Sequence, residues 1–409
     1  MKVRKPYLFI LIGWLIFSPI ANAASPKITV KTLQPSGFLL GVSDIATFAV
    51  NGNSILMLDS DTLTATNPVL RALSSDGSEK WRLALDSANQ SIATAITVDS
   101  TGNVWAVGAS SIQGNATLAT PESATAQPLM PDPFQLDLQL PLRADLTVLT
   151  IWQVSSTGVL LQKFTKDLNF ALLPTSLSVS GTQVGVIGTL AHATGQSSIY
   201  IKCLTTGTCS SALSIGKSDA ELTNLLQRSD GSALILGSSS SSILKEKING
   251  KRDAFAISLS KSSVIIQVLR SSNKASFRSW SSATENLYFG GSAVLGKKSE
   301  AVMTKFDVKL QPQWTQRFLS GGSALVLSID GKKYLSAFTS TAAIPQLANW
   351  KPKSPQLLVL QNDLKGIMQG GYALKGANQG RYFGYSPDLG AIVIANVGDR
   401  LAIFPSISR

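Results

Sequence analysis

The sequence predicts an all-β protein built from a repeated four-stranded unit. Short segments in which apolar and polar residues alternate are separated by Gly- and Asn-containing turns, and their order recurs along the chain. Of the 409 residues, 44% are hydrophobic and 15% are charged, which provides a large core and excludes charge-driven disorder. Two cysteines and one histidine exclude a cysteine-rich scaffold and a multi-histidine metal centre.

Residues 1–23 have the features of a secretory signal peptide. Lys2, Arg4 and Lys5 precede an apolar run over 7–20, and Ala21-Asn22-Ala23 provides small residues for cleavage after Ala23. The apolar run is shorter than the roughly 20 residues that span a bilayer. We therefore expect an exported protein (periplasmic, secreted or cell-surface associated) whose mature domain covers 24–409, with an uncleaved anchor as the alternative.

The chain is basic, and its two cysteines are close together. The formal net charge of +12 falls to about +9 when the three cations of the signal segment are removed. Such a charge favours anionic partners, although it also fits a charge that only keeps the protein soluble. Cys203 and Cys209 flank a Gly-containing turn and predict a disulfide across a hairpin in an oxidising compartment. Free buried thiols remain the alternative, and a metal pair is disfavoured because His192 is the only imidazole.

The repeat is clearest in the second unit. Ile92–Asp99 reads as the inner strand, Val104–Gly108 as the second, Leu146–Val154 as the third and Gly158–Phe164 as the fourth. The frame starts seven times, at intervals of about 55 residues. Inner and second strands are expected within 44–58, 92–108, 176–190, 222–237, 278–294, 324–338 and 381–395. Four strands per unit at this spacing predict a seven-bladed β-propeller of four-stranded antiparallel blades.

Ring closure is assigned to the start of the mature chain. The seventh unit, from about Gly380, has room for only three strands, whereas Lys27–Leu33 is a strand with no assigned sheet. We expect this N-terminal strand to be the fourth of the last blade, since that leaves no open edge between the ends. Residues 219–228 and 241–249 also permit short helices, which would not change the architecture.

A family resemblance supports this fold. Pro68–Trp81 followed by Ile92–Gly108 resembles the bacterial seven-bladed β-propeller repeat, in which a Gly-then-Trp strand precedes an Asp-x-x-Gly-Asn turn. Asp253–Leu259 and Glu300–Phe306 resemble its third strand. The resemblance extends over most of the mature chain, with the best agreement in the first two units. It implies an exported or surface protein and specifies no single activity.

Enzyme motifs are incomplete. Ser74–Trp81 resembles a sialidase aspartate box around Asp76, but Ser78 stands where Gly belongs and no arginine triad is recognisable. Trp81, Trp105, Trp152 and Trp314 lie within strands and are better explained as packing between blades than as quinone-cofactor docking. His192 is solitary and reads as a solvated loop residue. We therefore expect no catalytic residues, cofactor or metal.

Candidate binding residues lie in the loops between second and third strands. These loops share one face with the blade-to-blade connections, and surface loops on a rigid scaffold often carry binding sites. Three neighbouring units contribute cations, with one tryptophan beside them. The candidates are Lys245, Lys247, Lys251, Arg252, Lys297, Lys298, Trp350, Lys351 and Lys353. Cations beside an indole can attract anions and stack on rings, although a solvated loop set explains the same pattern.

The second unit carries an insertion at about 112–144 on the same face. Its alternating part, Phe134–Leu142, predicts an extra hairpin strand or an edge that accepts a partner strand.

These features together predict a function without catalysis. We expect a monomeric binding or scaffolding propeller at the cell envelope, with a protein, an anionic polymer or a lipid surface as partner and no nucleic acid. The alternative is a propeller enzyme, a hydrolase or lyase, acting on an extracellular carbohydrate or polymer.

Overall fold

A computed structural model describes residues 27–39, 45–60, 68–86, 90–112, 144–192, 195–217, 219–405 and 407. These residues form 30 β-strands, and no α-helix occurs among them. Ala220–Gln227 is a strand and the described residues 241–249 contain no helix, so the helical alternative for both segments is wrong. The predicted signal peptide and the core of the predicted insertion, 113–143, lie outside the described residues.

The strands follow one another with short turns and loops. The first ten are β1 (Ile28–Leu33), β2 (Gly37–Leu39), β3 (Ile45–Asn51), β4 (Ser54–Ser60), β5 (Val69–Leu73), β6 (Glu79–Ala84), β7 (Ser91–Val98), β8 (Val104–Ser110), β9 (Val148–Val154) and β10 (Leu160–Asp167). The next ten are β11 (Leu172–Ser180), β12 (Gln183–His192), β13 (Gly195–Leu204), β14 (Leu213–Lys217), β15 (Ala220–Gln227), β16 (Ala233–Ser239), β17 (Asp253–Leu259), β18 (Ile265–Ser271), β19 (Ser276–Ala283) and β20 (Tyr288–Leu295). The last ten are β21 (Lys298–Phe306), β22 (Pro312–Leu319), β23 (Leu325–Ile329), β24 (Lys333–Ser340), β25 (Leu347–Ala348), β26 (Gln356–Asn362), β27 (Met368–Leu374), β28 (Ala377–Ser386), β29 (Gly390–Val397) and β30 (Arg400–Phe404).

Six of the sheets are four-stranded antiparallel blades. Blades one to five contain β3–β6, β7–β10, β11–β14, β15–β18 and β19–β22, and the terminal blade has the order β2-β30-β29-β28. The remaining sheet has six strands in the order β23-β24-β26-β27-β1-β25. The prediction of seven four-stranded blades is therefore wrong. Six sheets have four strands, whereas the sheet of the sixth predicted unit has six because β1 and β25 join it.

The sheets form a closed ring around their first strands. Contacts join β3 to β7, β7 to β11, β11 to β15, β15 to β19, β19 to β23, β23 to β28 and β28 back to β3. This cyclic packing of antiparallel sheets confirms the all-β propeller fold.

The N-terminal strand closes the ring differently from the prediction. Residues 30–33 of β1 pair in parallel with β27 of the six-stranded sheet, and Gly37–Leu39 provides the fourth strand of the terminal blade by pairing antiparallel with β30. Leu39 is buried against that blade, while Ile28 and Val30 pack on the core between blade five and the six-stranded sheet. Lys27–Leu33 therefore is not the closing strand, because β1 pairs with the edge of β27 in the neighbouring six-stranded sheet.

Hydroxyl groups on the inner strands link successive sheets. In four of the inner strands, a Ser or Thr at a bulge donates a hydrogen bond to a carbonyl in, or directly before, the next inner strand. The pairs are Thr94 to Pro174 O (2.7 Å), Thr175 to Leu222 O (3.1 Å), Thr223 to Trp280 O (2.6 Å) and Ser281 to Ala324 O (3.2 Å). These bonds join five consecutive sheets close to the ring centre.

Tryptophans of the outer strands pack onto the following sheet. The Trp81 indole lies on Gly158 in the hairpin turn of blade two, and Trp314 lies in the same way on Gly366 of the six-stranded sheet. A β-carbon at either glycine would lie 2.7 Å from the indole, so a larger residue would clash with the ring. Both glycines also have a positive φ, which residues with a side chain rarely adopt. Trp105 and Trp152 are fully buried. The predicted packing role of these four residues is confirmed.

The predicted disulfide is present. The Cys203 and Cys209 sulfurs are 2.02 Å apart, and the two residues form an antiparallel bridge between the end of β13, which contains Cys203, and the segment that follows the turn. The bond closes the turn that leads from the third to the fourth strand of blade three.

Candidate functional site on the loop face

The loops between second and third strands open on the face that also carries the sheet-to-sheet connections. A parallel bridge joins Arg252, at the end of such a loop in blade four, to Phe277 at the start of the inner strand of blade five. An antiparallel bridge joins Ser320, after the last strand of blade five, to Ser340 at the end of β24. The predicted cations of these neighbouring sheets therefore occupy one sector of one face.

Seven of the nine candidate residues are exposed lysines on this sector. We call them the lysine rim, which comprises Lys245, Lys247 and Lys251 of blade four, Lys297 and Lys298 of blade five, and Lys351 and Lys353 of the six-stranded sheet. Lys298 pairs with Glu300 at 2.7 Å, and Lys251 Nζ lies 5.5 Å from the centroid of the Phe277 ring. The rim thus presents a broad positive surface to solvent.

The other two candidates, Arg252 and Trp350, form hydrogen bonds within the protein. Arg252 donates from Nε to Ser238 Oγ at 2.7 Å and from Nη2 to Glu221 at 2.8 Å. Trp350 is 8% exposed and its Nε1 donates to Ser340 Oγ at 3.0 Å. The indole therefore belongs to the core between blade five and the six-stranded sheet, and the structure does not bring it to the solvent side of the rim as the sequence interpretation expected.

A second group of charges lies between blades four and five. We call Asp253, Arg270, Arg278, Glu300 and Arg317 the interblade cluster. Arg278 pairs across the sheet with Ala293, which pairs with Glu300, so both side chains project from the same side of blade five. Arg317 opposes Val302, two residues from Glu300, and projects from that side as well. Blade four supplies Asp253 and Arg270 from β17 and β18.

The two carboxylates of this cluster are fully engaged. Asp253 is completely buried, accepts hydrogen bonds from the Asn249 and Gly250 amides at 2.9 Å and pairs with Arg270 at 3.2 Å. Glu300 pairs with Arg317 at 2.8 Å and with Lys298 at 2.7 Å. Both acceptors therefore serve cations other than Arg278.

Arg278 is the exception within the cluster. It donates from Nη1 to Ser271 Oγ at 3.0 Å, its Nε is buried without an acceptor, and it forms no ion pair with a carboxylate of the described ranges. Burial lowers the pKa of Arg278, and the nearby positive charge of Arg317 lowers this pKa further, against the opposing effect of Asp253 and Glu300. Sequence inspection missed the cluster because its members become neighbours only through strand register.

Residues considered for catalysis do not assemble into a reactive group. His192 is exposed at the end of β12, where its Nε2 lies 2.6 Å from Ser197 Oγ and its ring packs on Phe170. Asp76 caps its own turn by accepting hydrogen bonds from Ser78, which lower the pKa of the Asp76 carboxyl. Within the part of the chain that the structure covers, no three His, Cys, Asp or Glu side chains are close enough to hold a metal ion.

Comparison with known proteins identifies the fold. No protein-family model and no curated protein sequence matches the chain. Among solved structures, hydrazine synthase of Kuenenia stuttgartiensis aligns with 93% of this chain and 98% of its own at 9% identity and a TM-score of 0.50. Apocarotenoid oxygenase of Synechocystis aligns with 83% of this chain and 74% of its own, at 10% identity and a TM-score of 0.47. Lignostilbene dioxygenase of Pseudomonas brassicacearum aligns with 83% and 75%, at 7% identity and a TM-score of 0.45.

The similarity to hydrazine synthase concerns the fold alone, because the sequence identity is 9%. No helix among the described residues has the length and apolar character to cross a membrane. The disulfide is compatible with an exported protein. The chain is an all-β propeller with a basic sector on its loop face and a charged cluster beneath that sector.

Proposed function

We propose that the protein is an exported binding module whose lysine rim attaches it to an anionic surface of the cell envelope. The observation that carries the proposal is the concentration of exposed lysines from three consecutive sheets on one face. Each lysine near an anionic membrane surface contributes about 1 kcal/mol, so several acting together provide useful affinity. The disulfide supports an oxidising location.

The rim is suited to a surface partner more than to a small ligand. Its lysines are exposed on flexible stems. Of the acidic neighbours, Glu300 is 13% exposed and pairs with Lys298 and Arg317, whereas the exposed Glu221 pairs with Arg252. A flat membrane or polymer can meet all three loops at once. Because the attraction is between exposed charges, we expect it to weaken strongly with rising salt.

Vesicle sedimentation tests the proposal with a matched pair of variants. The test variant Lys247→Glu/Lys297→Glu/Lys353→Glu changes one lysine in each rim loop. The control variant Lys261→Glu/Lys309→Glu/Lys365→Glu changes one exposed lysine in the third-to-fourth hairpin turn of the same three sheets, on the opposite face. With phosphatidylglycerol vesicles at low salt, the test variant should bind at least tenfold more weakly than the wild type, and the control should bind nearly as well.

Two results would contradict this function. One is the absence of wild-type binding to phosphatidylglycerol vesicles at low salt, and the other is equal weakening by both triple variants. Mass spectrometry of the exported protein tests its location separately, since we expect an N-terminus at Ala24. A retained residue 1–23 segment would contradict the proposed cleavage.

A further inference from the structure

The interblade cluster contains more positive charge than its carboxylates can neutralise. Arg270, Arg278, Arg317 and the adjoining Lys298 provide four cations, against the two carboxylates of Asp253 and Glu300. The excess is two positive charges, of which that of Arg278 is half-buried between the blades, whereas Lys298 is 62% exposed. The half-buried charge of Arg278 raises the free energy of the folded protein unless an anion neutralises it.

Arg278 concentrates this excess. Its guanidinium is half-buried, its Nε is shielded from water without an acceptor, and its one side-chain hydrogen bond goes to a neutral hydroxyl, Ser271. Burying a charged group without a charged partner is costly, so a site of this kind favours an incoming anion. Arg317, whose positive charge acts on Arg278, has 42% of its side chain exposed to solvent.

The geometry also explains how the site is kept rigid. Arg278 and Arg317 are on strands of one sheet, the inner β19 and the outer β22, whereas Ser271 and the Asp253–Arg270 pair come from blade four. Arg270 further donates to the backbone carbonyls of Glu246 and Ser241. Sheet hydrogen bonds and the Asp253–Arg270 ion pair therefore fix the blade-four side, and the side chain that has to reorient when a ligand enters is that of Arg317.

We propose that the interblade cluster binds a phosphate group, with the Arg278 and Arg317 guanidinium groups as its main donors. A phosphomonoester carries nearly two negative charges at neutral pH and three acceptor oxygens, which matches the excess of two cations. A carboxylate would neutralise only one. A guanidinium group can donate two parallel hydrogen bonds to phosphate oxygens. When Arg317 turns to the ligand, Lys298 still neutralises Glu300.

This inference does not rest on the proposed function, because its main donors, Arg278 and Arg317, do not belong to the lysine rim, and Lys298 of the rim adjoins them only through Glu300. Isothermal titration calorimetry with glycerol 3-phosphate tests it on the mature protein. The wild type should bind one equivalent, and Arg278→Gln should lower the affinity at least tenfold. Arg82→Gln is the matched control, because it removes an exposed arginine from blade one, and it should leave the affinity unchanged.

A second variant covers the case in which Arg278→Gln fails to fold. Arg317→Gln changes a more exposed residue, so the fold should persist while the affinity falls about tenfold. Vesicles containing phosphatidic acid distinguish the source of the phosphate. Binding to glycerol 3-phosphate alone indicates a soluble phosphomonoester, and additional Arg278-dependent binding to the vesicles indicates a lipid headgroup. The proposal is overturned if the wild type shows no saturable phosphate binding, or if Arg317→Gln and Arg82→Gln bind as the wild type does.

Discussion

The two sides of strand β22 carry opposite chemistry. On one side, Arg317 joins Glu300 in the charged cluster toward blade four. On the other, Phe318 stacks on Phe338 at 5.3 Å and Trp314 packs against Tyr334 and Tyr288 of the boundary with the six-stranded sheet. Because successive side chains of a strand point to opposite faces, one short sequence serves two boundaries. The aromatic boundary stabilises the fold through packed rings, whereas the charged boundary contains the cluster for which we propose phosphate binding.

The largest expected effect is at the aromatic boundary. Phe338 is 1% exposed, so Phe338→Ala should leave a cavity and destabilise the fold by about 3–5 kcal/mol. Val308→Ala is a control because that side chain is 91% exposed, and it should have almost no effect. Urea unfolding measures both. A loss below about 1 kcal/mol for Phe338→Ala would show that this boundary contributes little to stability.

The next effect is expected at the charged boundary. Asp253→Asn removes the charge that neutralises the buried Arg270, which should cost about 3 kcal/mol. The exposed Arg82–Glu79 pair is the control, and Glu79→Gln should cost less than about 1 kcal/mol. Urea midpoints of the two variants can be compared directly. Equal losses would mean that burial of the Asp253–Arg270 pair has no energetic role.

The disulfide of blade three, which belongs to neither boundary, can distinguish a loss of stability from a loss of phosphate binding. Cys203→Ala/Cys209→Ala opens a small loop in blade three and should lower the free energy of unfolding by about 2 kcal/mol. Glycerol 3-phosphate affinity should stay at the wild-type value. The double variant should also be insensitive to dithiothreitol, in contrast to the wild type. A parallel loss of phosphate affinity would show that the interblade cluster responds to general destabilisation.

The smallest effect is a pH dependence at the aromatic boundary. Burial raises the pKa of Tyr288 well above the ordinary tyrosine value. The folded state therefore favours the protonated phenol, so its contribution to stability is intact below about pH 10 and is lost as the pH rises further. Tyr288→Phe should reduce this alkaline loss by about 1.4 kcal/mol per pH unit above pH 10. Unfolding curves from pH 8 to 11 measure it, and identical slopes for the two proteins would contradict the assignment.

Strand positions could be predicted because local alternation and turn residues determine them. The second strand of blade two was expected at Val104–Gly108 and spans Val104–Ser110. The Cys203–Cys209 hairpin was likewise recognisable from a short local pattern. Alternation does not say which edge a strand joins or in which direction. For that reason Lys27–Leu33 was assigned to the wrong sheet, and the three-residue Gly37–Leu39 strand was missed.

The lysine rim could be found from sequence because its members lie in loops whose face follows from the repeat. The interblade cluster could not, since Arg270, Arg278 and Arg317 meet through register and blade packing. Trp350 shows the limit of reading composition alone, because a Trp beside lysines is compatible with a surface or a core position. Its hydrogen bond to Ser340 places it in the core.

The packing of Trp81 on Gly158 and of Trp314 on Gly366 has a consequence for the order in which the sheets fold. Each indole is covered by a hairpin that is translated after it, so an emerging sheet presents an uncovered aromatic ring until its successor has folded. Chains that end between residues 314 and 366 would keep the Trp314 ring exposed and would therefore tend to aggregate.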